Sequence, residues 1–533
     1  MQRPSASDLD DQFFDLIVIG GGINGAAIAR DAALRGLSVA LFEKSDFASG
    51  TTSWSTRLIH GGLRYLEHRE FGLVRESLAE RERLLRNAPH LVQPIQLHIP
   101  IYSHSKRGPW TIRAGLTLYD LLSLDSSLPR HSMLTSSEAI ERMPDLDRNS
   151  LEAAAVYYDA QATFPERLVI ENLIDAASNG AVIMNYARVE RIVADGFVTT
   201  GAEITDLKSD TKFLVRSPAI VNVAGPWVDR LLDSPEDAPL VGGTKGTHIF
   251  LGSNAGDPVP PIYAESRSDG RAFFILPWNS LTMIGTTDTH YSGDLDSVLP
   301  TDANVEYLVA EADALLPGAG FSRDDILFAY SGVRPLPHSG NRSAAGITRR
   351  HFLVNHAPQR SGLYTIVGGK LTTHRSLAEH AVDVVCEELG HSTKSLTADR
   401  PLPGSKTVPN FDPIIPAAVH QHLRGRYGGL AADIMSESMS DVSALHPLVP
   451  GSPTCAAELL FAFRHEMATS LADALIRRTM TAYAPGLGAT IAQAAAPVVG
   501  QHMGWSGEKI TSEIEQYHRE VARFRVVTTG NPL

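Results

Sequence analysis

Gly20, Gly22 and Gly25, in the run IGGGINGA (19–26), are the residues whose type and spacing speak most directly to chemistry. The first permits a tight turn, the second lets backbone approach a pyrophosphate, and the third lets a helix pack on the preceding strand. A helix that starts there offers free N–H groups and a partial positive charge to phosphates. Glu43 is spaced to accept both hydroxyls of a ribose and to repel a 2′-phosphate, which disfavours NADP. Such residues need elements to hold them. Phe13 to Gly20 (FFDLIVIG) reads as a buried strand, a small-residue helix follows, and Ser38 to Phe42 reads as a second strand ending at Glu43. A glycine-rich turn without a ligand would not explain strand, helix, strand and acid in register.

An NAD enzyme of the simple kind would complete a doubly wound domain directly after this fingerprint. Here the pattern breaks off and resumes near Gly362 to Thr373 (GLYTIVGGKLTT), which suits an extended FAD reached by segments far apart in sequence. Gly368-Gly369-Lys370 is not a phosphate-binding P-loop, because Leu371 replaces the required Ser or Thr. No second strand-linked fingerprint marks an NAD domain, and no metal is expected.

The chain of 533 residues is too long for a single core. Its 43% hydrophobic and 20% charged residues describe an ordinary globular protein, and a net charge of −13 argues against general nucleic-acid binding. Cys386 and Cys455 form no CxxC pair, which excludes disulfide-exchange chemistry of that kind and fits a reducing compartment. The polar start (MQRPSASDLDDQ) carries no secretory signal, and apolar runs such as Ala219–Val223 and Ala494–Val499 fall short of the roughly 18 residues a spanning helix needs. A cytoplasmic enzyme is expected.

Further along, Gly72 to Arg86 and Glu166 to Ser178 read as helices, the second capped near Gly180. Short β runs are expected at Ala181–Asn185, Val189–Val193 and Ala219–Val223. Residues 240–360 read as β-rich, with strands near Ala272–Leu276 and Thr282–Ile284. Pro401-Leu402-Pro403-Gly404 is punctuated like a linker, and 405–533 reads as helical, including Ala456–Met480 and Gly507–Arg523. The expected fold is α/β plus α: a Rossmann-like FAD-binding domain (12–80, 160–235 and 360–400), an inserted β-rich substrate or cap domain (81–159 and 236–359), and a C-terminal all-helical domain (405–533). That last domain is read as a structural or oligomerisation module.

The stretches IGGGINGA (19–26), RLIHGGLRYLEH (57–68), NVAGPWV (222–228), KGTHI (245–249), GTTD (285–288), YSGVRPL (330–336) and GGKLTT (368–373) resemble the FAD-dependent glycerol-3-phosphate dehydrogenases, of the D-amino-acid-oxidase-like flavoprotein superfamily. The likeness runs in order over roughly residues 12–405, and Ala472-Asp473 and Arg477-Arg478-Thr479 resemble the family's helical tail. The resemblance implies FAD as cofactor, held by Gly20, Gly22, Gly25, Glu43, Lys44, Thr51, Ser53, Gly61, Gly62, Gly225, Gly368, Gly369, Lys370, Leu371 and Thr372. It implies oxidation of sn-glycerol 3-phosphate to dihydroxyacetone phosphate, with electrons passed to quinone and a homodimer left open. A phosphate dianion needs arginine forks or lysine charges. The matching positions are Arg64, Arg334, Arg349 (in GITRRHF) and Lys370, with Tyr65 a further donor. Arg334 and Lys370 are also counted with the catalytic residues. A lone arginine is usually a surface residue; the glycine-flanked settings of Arg64 and Arg334 weigh against that here. His60 and His248 are the candidate bases, and His60, before Gly61-Gly62, is expected beside the flavin.

Two departures from the family pattern leave another polyol phosphate, such as a tetritol phosphate, open. Thr163 to Val169 (TFPERLV) stands where the family reads Asp-Asp-x-Arg-Leu-Val, on the side expected to cover the substrate, and His374 stands where a tyrosine is usual. An amine or amino-acid oxidase of the same superfamily is disfavoured by the arginine set, and a flavin-free scaffold by the intact fingerprint. Ser105 to Leu124 mixes Lys106, Arg107 and Arg113 with Trp110, Ile112, Leu116, Tyr119 and Leu122, a composition that suits a helix in a bilayer interface as well as one facing a core. A peripheral place on the inner face of the cell membrane is the corresponding expectation. The electron acceptor, quinone or oxygen, is not legible.

Overall fold

The computed structural model describes residues 1–67, 69–123, 126–232, 239–252, 259–338, 347–407, 415–438 and 441–526; His68, Leu124 and Gly346, named above within motifs, lie outside them. The fully buried run Leu16–Ile19 is flanked by Val39–Phe42 on one side and Ile220–Asn222 on the other, both parallel to it. The sheet continues to Val182–Met184 beyond the former and to Leu363–Val367 beyond the latter, and Phe352–Asn355 closes it as an antiparallel edge. Strands covered on both faces need continuous apolar runs, and LIVI, VALF and LYTIV are such runs. Helices Ile23–Leu34, Pro165–Ser178 and His374–Leu389 cover one face. The antiparallel strands Ala187–Asp195, Val198–Asp206 and Thr211–Arg216 cover the other, with Ala6 and Leu9 of an N-terminal turn of helix.

Among the described residues a second, ten-stranded sheet is built on two long pairings: Val92–Tyr102 with Leu151–Ala162, and Thr244–Gly252 with Ile326–Arg334. Its two-residue strand Leu58–Ile59 belongs to RLIHGGLRYLE, so this segment carries the chain from the nucleotide sheet into the large one. The β-rich stretch also holds a helix not anticipated from sequence, Asp302–Leu315. Thr301 caps it by accepting from the Asn304 N–H, a signal present in the residues themselves.

The C-terminal part is helical at Ala417–Tyr427, Ala431–Ser438, Ala456–His465, Ala489–Met503 and Gly507–Ala522. The continuous helix expected over Ala456–Met480 is instead interrupted. It stops at His465, Met467 adopts a left-handed φ of 55°, and the chain re-enters as a π-helix over Asp473–Arg478. The linker reading of Pro401–Gly404 also needs correction. Gly404 is buried, its N–H donates to Glu171 Oε2 at 2.9 Å, and a Cβ there would lie 2.4 Å from His90 Nε2.

Buried charge ties this part to the nucleotide fold. The Arg167 Nη1 bonds both oxygens of Glu466 at 2.7 and 2.8 Å, with both side chains wholly buried and the guanidinium 4.4 Å from the Tyr427 ring. Removing one member of such a pair strands the other charge. Glu466→Gln is therefore expected to lower stability by about 3–5 kcal/mol, read as a fall in the urea unfolding midpoint; an unchanged midpoint would show that the pair bears no part of the docking.

Candidate active site

The glycine turn does what its spacing requires. Gly20 has φ +119°, and a Cβ there would lie 2.8 Å from the Val223 carbonyl oxygen. A Cβ on Gly25 would lie 1.9 Å from the Gly20 oxygen, so helix and strand touch at backbone level. Gly22 has only Thr52 Oγ1 near, at 3.4 Å, which leaves its open side for a ligand. Gly22 also caps Ile23–Leu34 without a side chain of its own, and this end faces a cavity of about 750 Å³. The size, the open glycine and the helix N-terminus fit a dinucleotide.

Gly20, Gly22, Glu43, Lys44, Thr51, Gly225, Gly368, Gly369, Lys370 and Leu371 all line this cavity. The Glu43 carboxylate accepts from the Gly21 N–H at 2.7 Å and the Ser45 N–H at 2.8 Å, and burial nevertheless raises its pKa. Each oxygen keeps a lone pair for a ribose hydroxyl. Lys44 stands at the rim, 4.1 Å from the Trp227 ring and paired with Asp296 at 2.5 Å. Thr51 donates to the Val333 carbonyl at 2.7 Å.

Five of the expected cofactor residues do not line the cavity; Gly25 is one, being packed against the Gly20 backbone. Ser53 is fully buried and donates to the Ala48 carbonyl at 2.7 Å; its neighbour Thr52, which accepts from the Ile23 N–H at 3.1 Å, stands at the cavity instead. Gly61 packs under Tyr119, whose hydroxyl accepts its N–H at 2.9 Å, and Gly62 lies against the Tyr65 ring with φ +80°. Thr372 accepts from the His60 N–H at 3.1 Å, tying GGKLTT to the IHGG turn.

A second group of side chains converges beside Lys370. Its Nζ lies 4.0 Å from the centre of the Tyr65 ring and donates to Ser77 Oγ at 2.9 Å. Burial lowers the ammonium pKa to about 7, against the pull of Glu76, Glu70 and Asp159. The half-buried Tyr65 phenol in turn feels Arg349, Arg64 and Arg334. Arg334 donates to Thr286 Oγ1 at 2.8 Å and to Asp288 Oδ1 at 3.2 Å, while Arg349 reaches Asp288 Oδ2 at 3.0 Å. Burial lowers the Arg334 guanidinium to about 10 even with Asp288 beside it. Arg349 Nη1 is buried with no hydrogen-bond partner among the described residues. The four expected cationic ligands thus gather around the fifth, Tyr65. Asp288 and Ser77 were missed. GTTD ends in an acid that could have been read as a counter-charge, whereas nothing local marks Ser77.

His60 is held neutral, its pKa lowered to about 3 by burial and by Lys370. His248 is buried too; its Nε2 pairs with Thr56 Oγ1 at 2.9 Å, and its Nδ1 has no partner among the described residues. Burial, Arg334 and Arg57 keep it neutral as well. Thr163 and Glu166, expected over the substrate, are wired inward instead. Glu166 takes a two-pronged bond from Arg57, both at 2.9 Å, and the Thr163 carbonyl accepts from Trp278 Nε1 at 2.7 Å. His374 is buried against the Leu371 carbonyl at 2.8 Å.

Comparison with known proteins agrees with this geometry. Residues 15–375 match the family model described as FAD dependent oxidoreductase, and 395–510 match the C-terminal domain of alpha-glycerophosphate oxidase. The chain is 41% identical to a glycerol-3-phosphate dehydrogenase of Synechocystis sp., over 96% of this chain and 97% of that one. It is 31% identical to an aerobic glycerol-3-phosphate dehydrogenase of Staphylococcus haemolyticus, over 89% and 88%. Among solved structures, the glycerol-3-phosphate dehydrogenase from Bacillus halodurans complexed with FAD superposes with a TM-score of 0.78 at 26% identity, covering 99% of this chain and 98% of that one. A glycine oxidase from Geobacillus kaustophilus, at 23% identity and TM-score 0.53, shares the fold alone. The chain belongs to the FAD-dependent glycerol-3-phosphate dehydrogenase family.

Proposed function

We propose that the chain oxidises sn-glycerol 3-phosphate to dihydroxyacetone phosphate. The observation that carries this reading is the gathering of Arg64, Arg334, Arg349 and Lys370 around Tyr65, beside the cavity that Lys370 also lines. Four cations exceed what one carboxylate substrate needs and match a phosphate dianion. Bound FAD supplies the hydride acceptor. His60 is the acceptor of the hydroxyl proton, its basicity, depressed by burial and Lys370, recovering as the bound phosphate offsets the Lys370 charge, with His248 the second candidate. The charge borne by the arginines also holds the substrate oxygens in place as the carbonyl forms. Neither departure from the family pattern favours a larger polyol, because Glu166 and His374 are engaged with Arg57 and Leu371.

Electrons then pass to a quinone at a membrane surface. Among the described residues no helix is long and apolar enough to cross a bilayer. Helix Pro109–Leu122 turns Leu116 and Tyr119 inward and leaves Trp110 78% and Leu121 58% exposed, with Arg113 beside the Trp110 ring. Exposed aromatic and aliphatic side chains next to a cation suit the interface. Arg107 is engaged with Glu67 and Glu265 and contributes less.

Separate variants divide binding from chemistry. Arg334→Ala is expected to raise KM about 10- to 100-fold with FAD retained, and His60→Asn to lower kcat by about 10²- to 10⁴-fold; an unchanged KM in the first, or unchanged turnover in the second, removes that residue from its role. The pH dependence follows from Lys370. Its free ammonium is half-deprotonated near pH 7, and a bound dianion restores the charge, so binding takes up a proton above that pH. KM is expected to rise as pH increases above about 7, and to rise less in Lys370→Arg, whose guanidinium stays charged; identical profiles would place Lys370 outside the anion site. In flotation with anionic liposomes the protein is expected in the lipid fraction and Trp110→Glu in the pellet, and wild-type protein absent from the lipid would end the interfacial assignment.

A further inference from the structure

We infer that the C-terminal helical domain is part of the cofactor-binding machinery. By holding Asp46 it fixes the loop that rims the dinucleotide cavity, so FAD leaves only when the domain lets go. The inference rests on the family's FAD and holds whichever polyol phosphate the substrate site takes.

Asp46 lies three residues beyond Glu43, is 1% exposed, and lines the cavity with Ser45, Ser49 and Thr51. Its two arginine partners lie more than 430 residues away, while Asn185 Nδ2 adds a weaker bond to Oδ1 at 3.2 Å. Arg478 forks the carboxylate, Nη2 to Oδ1 at 2.8 Å and Nη1 to Oδ2 at 2.9 Å, and Arg477 adds Nε to Oδ2 at 2.5 Å. Such charge-assisted, two-pronged contacts are the strong ones. Arg477 and Arg478 are consecutive, yet both reach one carboxylate. They end the π-helix Asp473–Arg478, whose wide turn brings neighbouring side chains closer in direction.

The same turn touches the rim again. Asp473 accepts from the Tyr186 hydroxyl at 2.7 Å and from Arg477 Nη2 at 2.6 Å, and Tyr186 lines the cavity beside Ala187, Arg188 and Val189. Further along, the Arg523 guanidinium lies 4.6 Å from the centre of the Trp54 ring, and Trp54 is another lining residue. Arg477, Glu520 and Arg523 themselves face the cavity. A purely structural or oligomerisation module would have no reason to place three charged side chains there.

Docking and FAD binding are then linked, since whatever stabilises one stabilises the other. The test is hydrogen exchange on the full chain with and without FAD. Bound FAD is expected to slow exchange at 473–479 and 516–524 as well as at 20–26 and 43–54. Protection confined to residues before 376 would overturn the inference. A second measurement uses Arg523→Gln, at a partly exposed position outside the buried Asp46 cluster, with FAD affinity followed by flavin fluorescence. The dissociation constant is expected to rise about tenfold while the melting temperature of the apoprotein stays that of wild type, and a wild-type constant would count against the domain's part in the site. Asp46→Asn, if it folds, is expected to release FAD faster still, and wild-type release would overturn the latch.

Discussion

A charge taken out of water must meet its opposite, and this protein obeys that constraint almost everywhere it buries an arginine. Arg57 meets Glu166, Arg81 meets Asp159, Arg167 meets Glu466 and Arg478 meets Asp46, each at 2.7–2.9 Å. Beside Lys370 the matching runs short. Arg334 and Arg349 share the single carboxylate of Asp288, one Arg349 nitrogen has no partner among the described residues, and burial lowers the Lys370 ammonium towards neutrality. Positive charge that the fold does not neutralise is stabilised further by an anion. The deficit leaves positive charge uncompensated beside the cavity, which favours an anion there.

The matched pairs also explain how the site is held. RLIHGGLRYLE ties to the nucleotide fold through the Arg57–Glu166 pair and enters the large sheet at Leu58–Ile59, just before His60. Arg57 is anchored by Glu166 and lies 4.6 Å from the Trp278 ring. Gly61 is pinned by Tyr119, whose hydroxyl donates to Asp159, itself paired with Arg81. GGKLTT arrives from the far end of the nucleotide sheet and joins the same turn through Thr372 and His60. The residues at the cavity and beside Lys370 are thereby held at sheet ends, the kind of support that positioned chemistry requires.

Much of this was legible in consecutive residues. The glycine turn, its strand and helix, and the acid after the second strand are local demands on backbone, and local demands are met by neighbours in sequence. The helices at Pro165–Ser178 and Phe71–Asn87 followed their periodicity for the same reason. Apart from the helix Asp302–Leu315, whose cap is local, the differences fell where partners are remote. Ser53 and Thr52 differ by one position, and only the approach of the Ile23 N–H to Thr52 decides which hydroxyl stands at the cavity. In TFPERLV, Glu166 is claimed by a buried arginine 109 residues earlier, a pairing that no local pattern marks.

By itself, then, the sequence determined the dinucleotide turn, the order of sheet and helical parts, and the family, because each is written in spacing or in ordered motifs. Only the tertiary structure decided that Asp288 balances two arginines, that Ser77 holds Lys370, and that Arg477 and Arg478 grip Asp46. The physical reason is the pairing of buried charge. Which carboxylate satisfies which guanidinium depends on where two distant backbones meet, and no local pattern encodes that meeting.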